Sequence, residues 1–102
     1  MPQNLGESQF QGDSEIELDE PPMYRVILLN DDYTPMDFVV MILVRVFHKS
    51  EAEAERIMMS VHQQGKGECG VYTYEIAETK VETVKAVAKA QKHPLRCVME
   101  EA

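Results

Sequence analysis

The chain has 102 residues, enough for one domain, and its 18 acidic and 10 basic residues give a formal net charge of −8. Six acids and no bases fall in residues 1–22, so residues 23–102 carry a net charge of only −2. With no basic excess and no apolar run near the ~20 residues of a membrane span, we expect neither nucleic acid nor a membrane as partner. The acidic amino-terminal segment resembles neither a secretory signal nor a transit peptide, which predicts a cytoplasmic protein.

Residues 1–22 are predicted to form a disordered acidic tail. The segment mixes acids with Gln, Asn, Gly and Ser, and its few large apolar residues are too widely spaced to share one face. Such a composition cannot bury enough surface to offset the entropy of ordering. Pro21 and Pro22 then mark the boundary to a single folded domain, residues 23–102.

The first predicted elements of this domain are a strand and a helix. Residues 23–29 are short, β-branched and aromatic, which favours a strand, and the Asn-Asp-Asp-Tyr run of 30–33 ends it. Thr34 and Asp37 form a capping-box-like pattern, with Pro35 suited to the first helical position. Apolar residues at helical spacing extend this helix to residues 48–49.

Two further helices and two further strands are predicted. Ser50 and Glu53 form a second capping box, and Gly65 with Gly67 ends the helix that it opens. A strand is expected over 68–76, a third helix from the capping box Thr79-x-x-Glu82 to Pro94, and a third strand over 95–99. The order β-α-α-β-α-β predicts an α+β sandwich in which three helices cover a three-stranded antiparallel or mixed sheet.

The first strand-to-helix junction carries the most informative side chains. Asn30, Asp31 and Asp32 place one amide oxygen and two carboxylates beside a helix start. Turn formation and compensation of the helix dipole explain one such acid, and this simpler interpretation stays open. Two acids together with an asparagine are more than a turn requires.

A second candidate group comes from the paired helices. If the first two helices pack side by side, Met36, Val39, Met58 and Val61 line an apolar recess with His62 at its rim. The alternatives are that these residues are ordinary core and that the histidine only interacts with the end of its helix. Because an ammonium group has three donors and no acceptor, an apolar recess rimmed by carboxylate, amide and imidazole acceptors favours a cation attached to a hydrophobic group. The free α-amino group of a peptide, next to a large first side chain, fits this description.

Other chemistry receives less support from the sequence. Cys69 and Cys97 are predicted to be buried thiols rather than a disulfide, and their spacing to the histidines does not match a zinc site. An acid/base or metal-dependent enzyme that uses Asp31 or Asp32 with His62 remains an alternative. It lacks a nucleophile paired with the histidine and a glycine-rich phosphate loop. We therefore expect neither enzymatic activity nor a cofactor or metal ion.

Four blocks of the sequence carry a family resemblance: NDDYTPMDFV at 30–39, VHQQGKGECGV at 61–71, IAETKV at 76–81 and HPL at 93–95. In order and spacing they resemble ClpS, the bacterial adaptors that deliver N-degron substrates to the ClpA–ClpP protease. Two positions depart from the family pattern. Asp37 stands where Glu is usual, and Arg96 follows Leu95 where an apolar residue is common.

The resemblance implies a pocket for amino-terminal Leu, Phe, Tyr or Trp in a monomeric, non-enzymatic adaptor. Met36 resembles the family's gate residue, whose bulk disfavours β-branched Ile and Val. The tail would engage the unfoldase during delivery, and a scaffold without a working pocket is the remaining alternative. By matching position, the α-amino group would be bound by Asn30, Asp31, Asp32 and His62, the side chain by Thr34, Met36, Val39, Met58, Val61 and Leu95, and the amino-terminal domain of ClpA by Glu75 and Lys80.

Overall fold

The structure, a computed structural model, describes residues 20–102. The predicted disorder of residues 1–22 therefore lies outside the described residues except at its last three positions. The predicted order of elements is confirmed, and the first strand has the predicted bounds. The elements are β1 (Met23–Leu29), α1 (Met36–Arg45), α2 (Glu51–Gln64), β2 (Lys66–Thr73), α3 (Tyr74–Ala90) and β3 (Arg96–Glu101). None of these helices is long and apolar enough to cross a membrane.

The three strands form one antiparallel sheet in the order β2-β1-β3. The three helices cover one face of it, which confirms the predicted α+β sandwich. Cys69 is an extra residue in β2, because Val26 pairs with Gly70 and the next β1 residue pairs with Glu68. On the opposite face, Arg25 forms ion pairs of 3.1 Å with Glu68 and with a glutamate of β3.

The core lies between the inner face of the sheet and the helices. Val26 and Leu28 of the central strand are fully buried among apolar residues of all three helices. Cys69 and Cys97, one from each outer strand, are free and buried, as predicted. Burial raises the pKa of both thiols, that of Cys97 to about 12, so both stay protonated at neutral pH.

The start of α1 differs from the prediction. Thr34 does not cap this helix; Pro35 is the N-cap residue, and its carbonyl oxygen accepts from the N–H groups of Phe38 and Val39. The capping box with Asp37 does not form, because the Thr34 hydroxyl donates to Asp31 instead. The helix therefore begins at residue 36 and leaves residues 30–35 as a separate loop.

The end of α1 and both ends of α2 follow local signals. The first helix stops at Arg45, earlier than predicted, and His48 then adopts a left-handed conformation with φ 59°. At the start of α2, the Ser50 hydroxyl accepts from the Glu53 N–H, as predicted. Gly65 ends α2 with φ 91°, and its N–H donates to the Val61 carbonyl.

The boundary between β2 and α3 was predicted too late in the chain. The strand ends at Thr73 and the helix begins at Tyr74, so Thr79 lies inside the helix and caps nothing. Tyr74 favours strands by propensity, but its ring packs edge-on against Tyr24 at 5.2 Å between ring centres. The buried stripe of α3 also starts early, at Ala77. Tertiary packing therefore outweighs local propensity here.

Candidate functional site

A recess of about 220 Å³ lies where the end of β1, the start of α1 and the last turns of α2 meet. Its volume is below the usual range for drug-sized ligands and suits a single side chain. Nine of the ten residues predicted for substrate binding surround it. They are Asn30, Asp31, Asp32, Thr34, Met36, Val39, Met58, Val61 and His62.

A backbone hydrogen bond holds the rim of the recess together. The Asn30 N–H donates to the Gly65 carbonyl at 2.9 Å, which fixes the end of β1 against the end of α2. His62 lies in the last turn of that helix. The bond therefore brings Asn30 and His62, distant in sequence, to the same recess.

Asp31 organises the loop before α1. One carboxylate oxygen accepts from the N–H groups of Tyr33 and Thr34, both at 2.8 Å, and the other accepts from the Thr34 hydroxyl at 2.7 Å. Partial burial would raise the pKa of Asp31, but these hydrogen bonds, with a smaller contribution from the charge of His93, outweigh it and lower the pKa. The carboxylate is therefore ionised and already hydrogen-bonded within the protein.

We expect Asp31→Asn to lower the free energy of unfolding at pH 7 by about 1 kcal/mol, since the neutral amide keeps only one acceptor oxygen. Folding lowers the Asp31 pKa below its ordinary 3.8, so this stabilisation is present above that pH and is lost as pH falls through the folded-state value. Urea denaturation at neutral and acidic pH should show a shallower loss of stability in acid for the variant. Asp37→Asn is the control, and equal acid dependence of both variants would contradict the role of Asp31.

The remaining polar groups of the recess are available to a ligand. Within residues 20–102, the side chains of Asn30, Asp32 and His62 make no hydrogen bond to another protein group, and all three residues are exposed. The apolar wall faces them: Val39 and Val61 are buried core residues. The recess thus combines hydrogen-bond acceptors at its rim with an apolar interior, the arrangement expected for an ammonium group that carries a hydrophobic substituent.

Leu95 does not line the recess, although it was predicted as part of the side-chain pocket. It is only 5% exposed and belongs to the same core cluster as Val39 and Val61. Its exposed edge contributes to a different, shallow concavity beside Tyr33. Leu95 therefore supports the recess through the core rather than forming its surface.

The two residues predicted to dock on a partner lie on α3, away from the recess. Glu75 is exposed in the first turn of the helix, next to the exposed Ile76. Lys80 is half-buried: its Nζ donates to the Val46 carbonyl at the end of α1, at 2.7 Å, and lies 6.0 Å from the centre of the Phe47 ring. The ammonium group therefore links α3 to the end of α1.

We expect Lys80→Met to lower the free energy of unfolding by about 1–2 kcal/mol, because it removes a charged hydrogen bond at a helix carboxyl end and a cation–π contact. Thermal denaturation measures the loss. Lys85→Met is the matched control, since Lys85 is exposed and makes only a 3.5 Å surface pair with Glu82. Equal, small effects of the two substitutions would show that the internal contacts of Lys80 contribute nothing.

Sequence reasoning missed two features of this region. The first is the intraloop role of Asp31, for which the Asp-x-x-Thr spacing was a usable signal. The second is a further groove between α1 and α2. Its only signal in the sequence was that Val40, Met41 and Val44, beside the core positions of α1, are also apolar; the structure leaves all three half-buried. Among residues 20–102, no group of three or more His, Cys, Asp or Glu side chains is placed to hold a metal ion.

Comparisons with known proteins agree on one family. Residues 19–98 match the family model described as ATP-dependent Clp protease adaptor protein ClpS. The chain is 58% identical over 89 residues to the ClpS adapter of Hyphomonas neptunium, covering 87% of this chain and 75% of the relative. It is 62% identical over 81 residues to ClpS 1 of Agrobacterium fabrum, covering 79% and 69%. The solved structure of Agrobacterium tumefaciens ClpS2 bound to L-phenylalaninamide superposes with a TM-score of 0.79 at 40% identity, covering 81% of this chain and 100% of that one.

Proposed function

This chain belongs to the ClpS family of ATP-dependent Clp protease adaptor proteins, and we propose that its recess binds the first residue of N-degron substrates. The substrates are proteins with a free α-amino group and amino-terminal Leu, Phe, Tyr or Trp. The adaptor delivers them to the Clp protease and performs no chemistry itself. The observation that carries the proposal is that exposed hydrogen-bond acceptors and an apolar wall line the same recess.

The α-amino group would lie at the polar rim. An ammonium group donates three hydrogen bonds, and Asn30, Asp32 and His62 offer acceptors that no other group within residues 20–102 uses. Asp31 contributes its charge and holds the loop, because its oxygens already accept three protein hydrogen bonds. The ligand in the similar ClpS2 structure, L-phenylalaninamide, has the same combination of a free amine and a large apolar side chain.

The expected affinity requires both halves of the recess. Burial of a Leu or Phe side chain contributes about 1.5–3 kcal/mol, and each charge-assisted hydrogen bond to the ammonium about 1.5–3 kcal/mol. After the loss of rigid-body freedom, we expect a binding free energy of about −8 kcal/mol, which corresponds to micromolar binding. An internal Leu has no ammonium group and an amino-terminal Ala has no side chain to fill the recess, so neither should bind well.

Met36 is proposed to act as the gate beside the β-carbon of the substrate's first residue. It is 44% exposed at the start of α1 and lies on the edge of the recess. We expect Met36→Ala to accept amino-terminal Ile and Val peptides, with affinity raised about tenfold as the steric conflict is removed. Fluorescence anisotropy with peptides that differ only in the first residue measures this. An Ala-initiated peptide is the control, and no preference for any first residue in the parent protein would favour the scaffold without a pocket.

Delivery is proposed to use the amino-terminal domain of the ClpA unfoldase, in the cytoplasm. Glu75, which is exposed, would contact that domain directly. Lys80 would hold α3, which carries Glu75, in place through its hydrogen bond to the end of α1. Its positive charge would make a smaller contribution to binding the partner domain. We further propose that residues 1–22 act in the delivery step and that residues 23–102 suffice for peptide binding.

A further inference from the structure

A groove of about 480 Å³ separates α1 from α2 and has no part in the recess chemistry. Its floor is the half-buried stripe Val40, Met41 and Val44, spaced along one face of α1. The exposed carboxylates of Glu51 and Glu55 lie on the opposite wall. With Asp37 and Arg45 included, three acids and one base line the groove, so its net charge is negative.

The groove continues directly from the recess. Met36 and Met58 line both cavities and form the boundary between them. The proposed amine acceptors Asn30, Asp32 and His62 line the recess and not the groove. A substrate whose amine is held by those acceptors would reach the groove by crossing the two methionines that both cavities share.

From this continuity and charge, we propose that the groove binds the third residue of the substrate and favours Arg or Lys there. The inference rests on the proposed function of the recess. In an extended peptide successive side chains alternate, so the first and third point the same way about 7 Å apart. The second side chain then points to solvent.

The groove matches the two chemical parts of such a side chain. Lys and Arg lay their aliphatic stems on apolar surface while the charged end stays near water, and the floor of Val40, Met41 and Val44 offers that surface. Along α2, Glu55 lies about 4.5 Å and Glu51 about 10.5 Å from Met58 at the helical rise of 1.5 Å per residue. The two carboxylates therefore lie one helical turn apart along the groove wall, on the amino-terminal side of Met58.

The experiment measures the affinities of Phe-initiated peptides that carry either arginine or its neutral analogue citrulline at the second, third or fourth position. Each peptide is titrated by fluorescence anisotropy against the parent protein, Glu51→Gln, Glu55→Gln and the double variant. Glu78→Gln is the matched control, because this exposed residue of α3 has the same charge and lies outside the groove. An Ala-initiated peptide reports on the recess separately.

Arginine is expected to bind about two- to fivefold more tightly than citrulline per neighbouring carboxylate, most strongly at the third position, and less so as salt is raised. The double variant should lose this advantage, whereas Glu78→Gln should keep it. Equal affinity of the arginine and citrulline peptides, an equal advantage in the double variant, or a maximum at another position would overturn the proposal. In those cases continued preference for Phe over Ala would leave the proposed function of the recess intact, and loss of that preference would reject both.

Discussion

Acetylation of the α-amino group of a Phe-initiated peptide is expected to weaken its binding to this protein by at least about 100-fold, or about 2.7 kcal/mol. The acetyl group removes the positive charge and all but one of the donors that Asn30, Asp32 and His62 are proposed to bind. Competition against a fluorescent Leu- or Phe-initiated peptide measures the change.

The control for this prediction places the acetyl group elsewhere on the same peptide. A Phe-initiated peptide with an acetylated lysine near its carboxyl end loses the same charge but keeps its α-amino group. It should bind as the unmodified peptide does. If both acetylated peptides bind as tightly as the unmodified peptide, the apolar wall alone is responsible for binding, and the rim acceptors have no role.

Gly67→Ala is expected to destabilise the fold, because the position has no room for a side chain. An added Cβ would lie 2.7 Å from the Val61 Cγ2 and 3.0 Å from the Ile57 carbonyl oxygen, so β2 and α2 would have to separate. We expect a loss of about 1–3 kcal/mol in the free energy of unfolding, or about 5–15 °C in Tm. Because Val61 also lines the recess, peptide affinity should fall as well.

Gly70→Ala in the same strand is the matched control for this effect. There the added Cβ would meet only the half-buried Tyr72 side chain, which can adjust more easily than the backbone of a packed helix. Calorimetry of the two variants should give a clearly larger loss for Gly67. Equal Tm values for Gly67→Ala and the parent protein would show that α2 can shift without cost, contrary to the tight contact in the structure.

The parts of the fold that could be predicted depend on signals within a few residues. Ser50 caps α2 and Gly65 ends it because each residue meets its partner within the same turn. Thr34 and Thr79 carry the same capping pattern yet do not cap, since one hydroxyl donates to Asp31 and the other residue lies within a helix that starts earlier. The Thr34 pattern was ambiguous because a second local partner, Asp31, competes for the hydroxyl, whereas the early start of α3 depends on packing between distant segments.

Some residues of the candidate site could likewise be identified from the sequence, and others could not. Acceptors in the turn and the Met and Val residues at helical spacing could be identified from the sequence, and the structure places them around one recess. The position of Leu95 could not, because it depends on how the loop before β3 packs into the core. The inward direction of the Lys80 side chain could not be predicted either, because its contacts come from the end of α1 and from β2, which are distant in sequence from α3.

The position of β1 at the centre of the sheet has a consequence during synthesis. This apolar strand emerges first, but its hydrogen-bonding partners follow only at residues 66–73 and 96–101. Until then both of its edges are open to self-association with other nascent chains. Pro21 and Pro22 before it and Asn30, Asp31 and Asp32 after it are residues that oppose cross-β stacking. The two acids proposed to bind the substrate amine, Asp31 and Asp32, would thus also oppose aggregation of the nascent chain before the recess has formed.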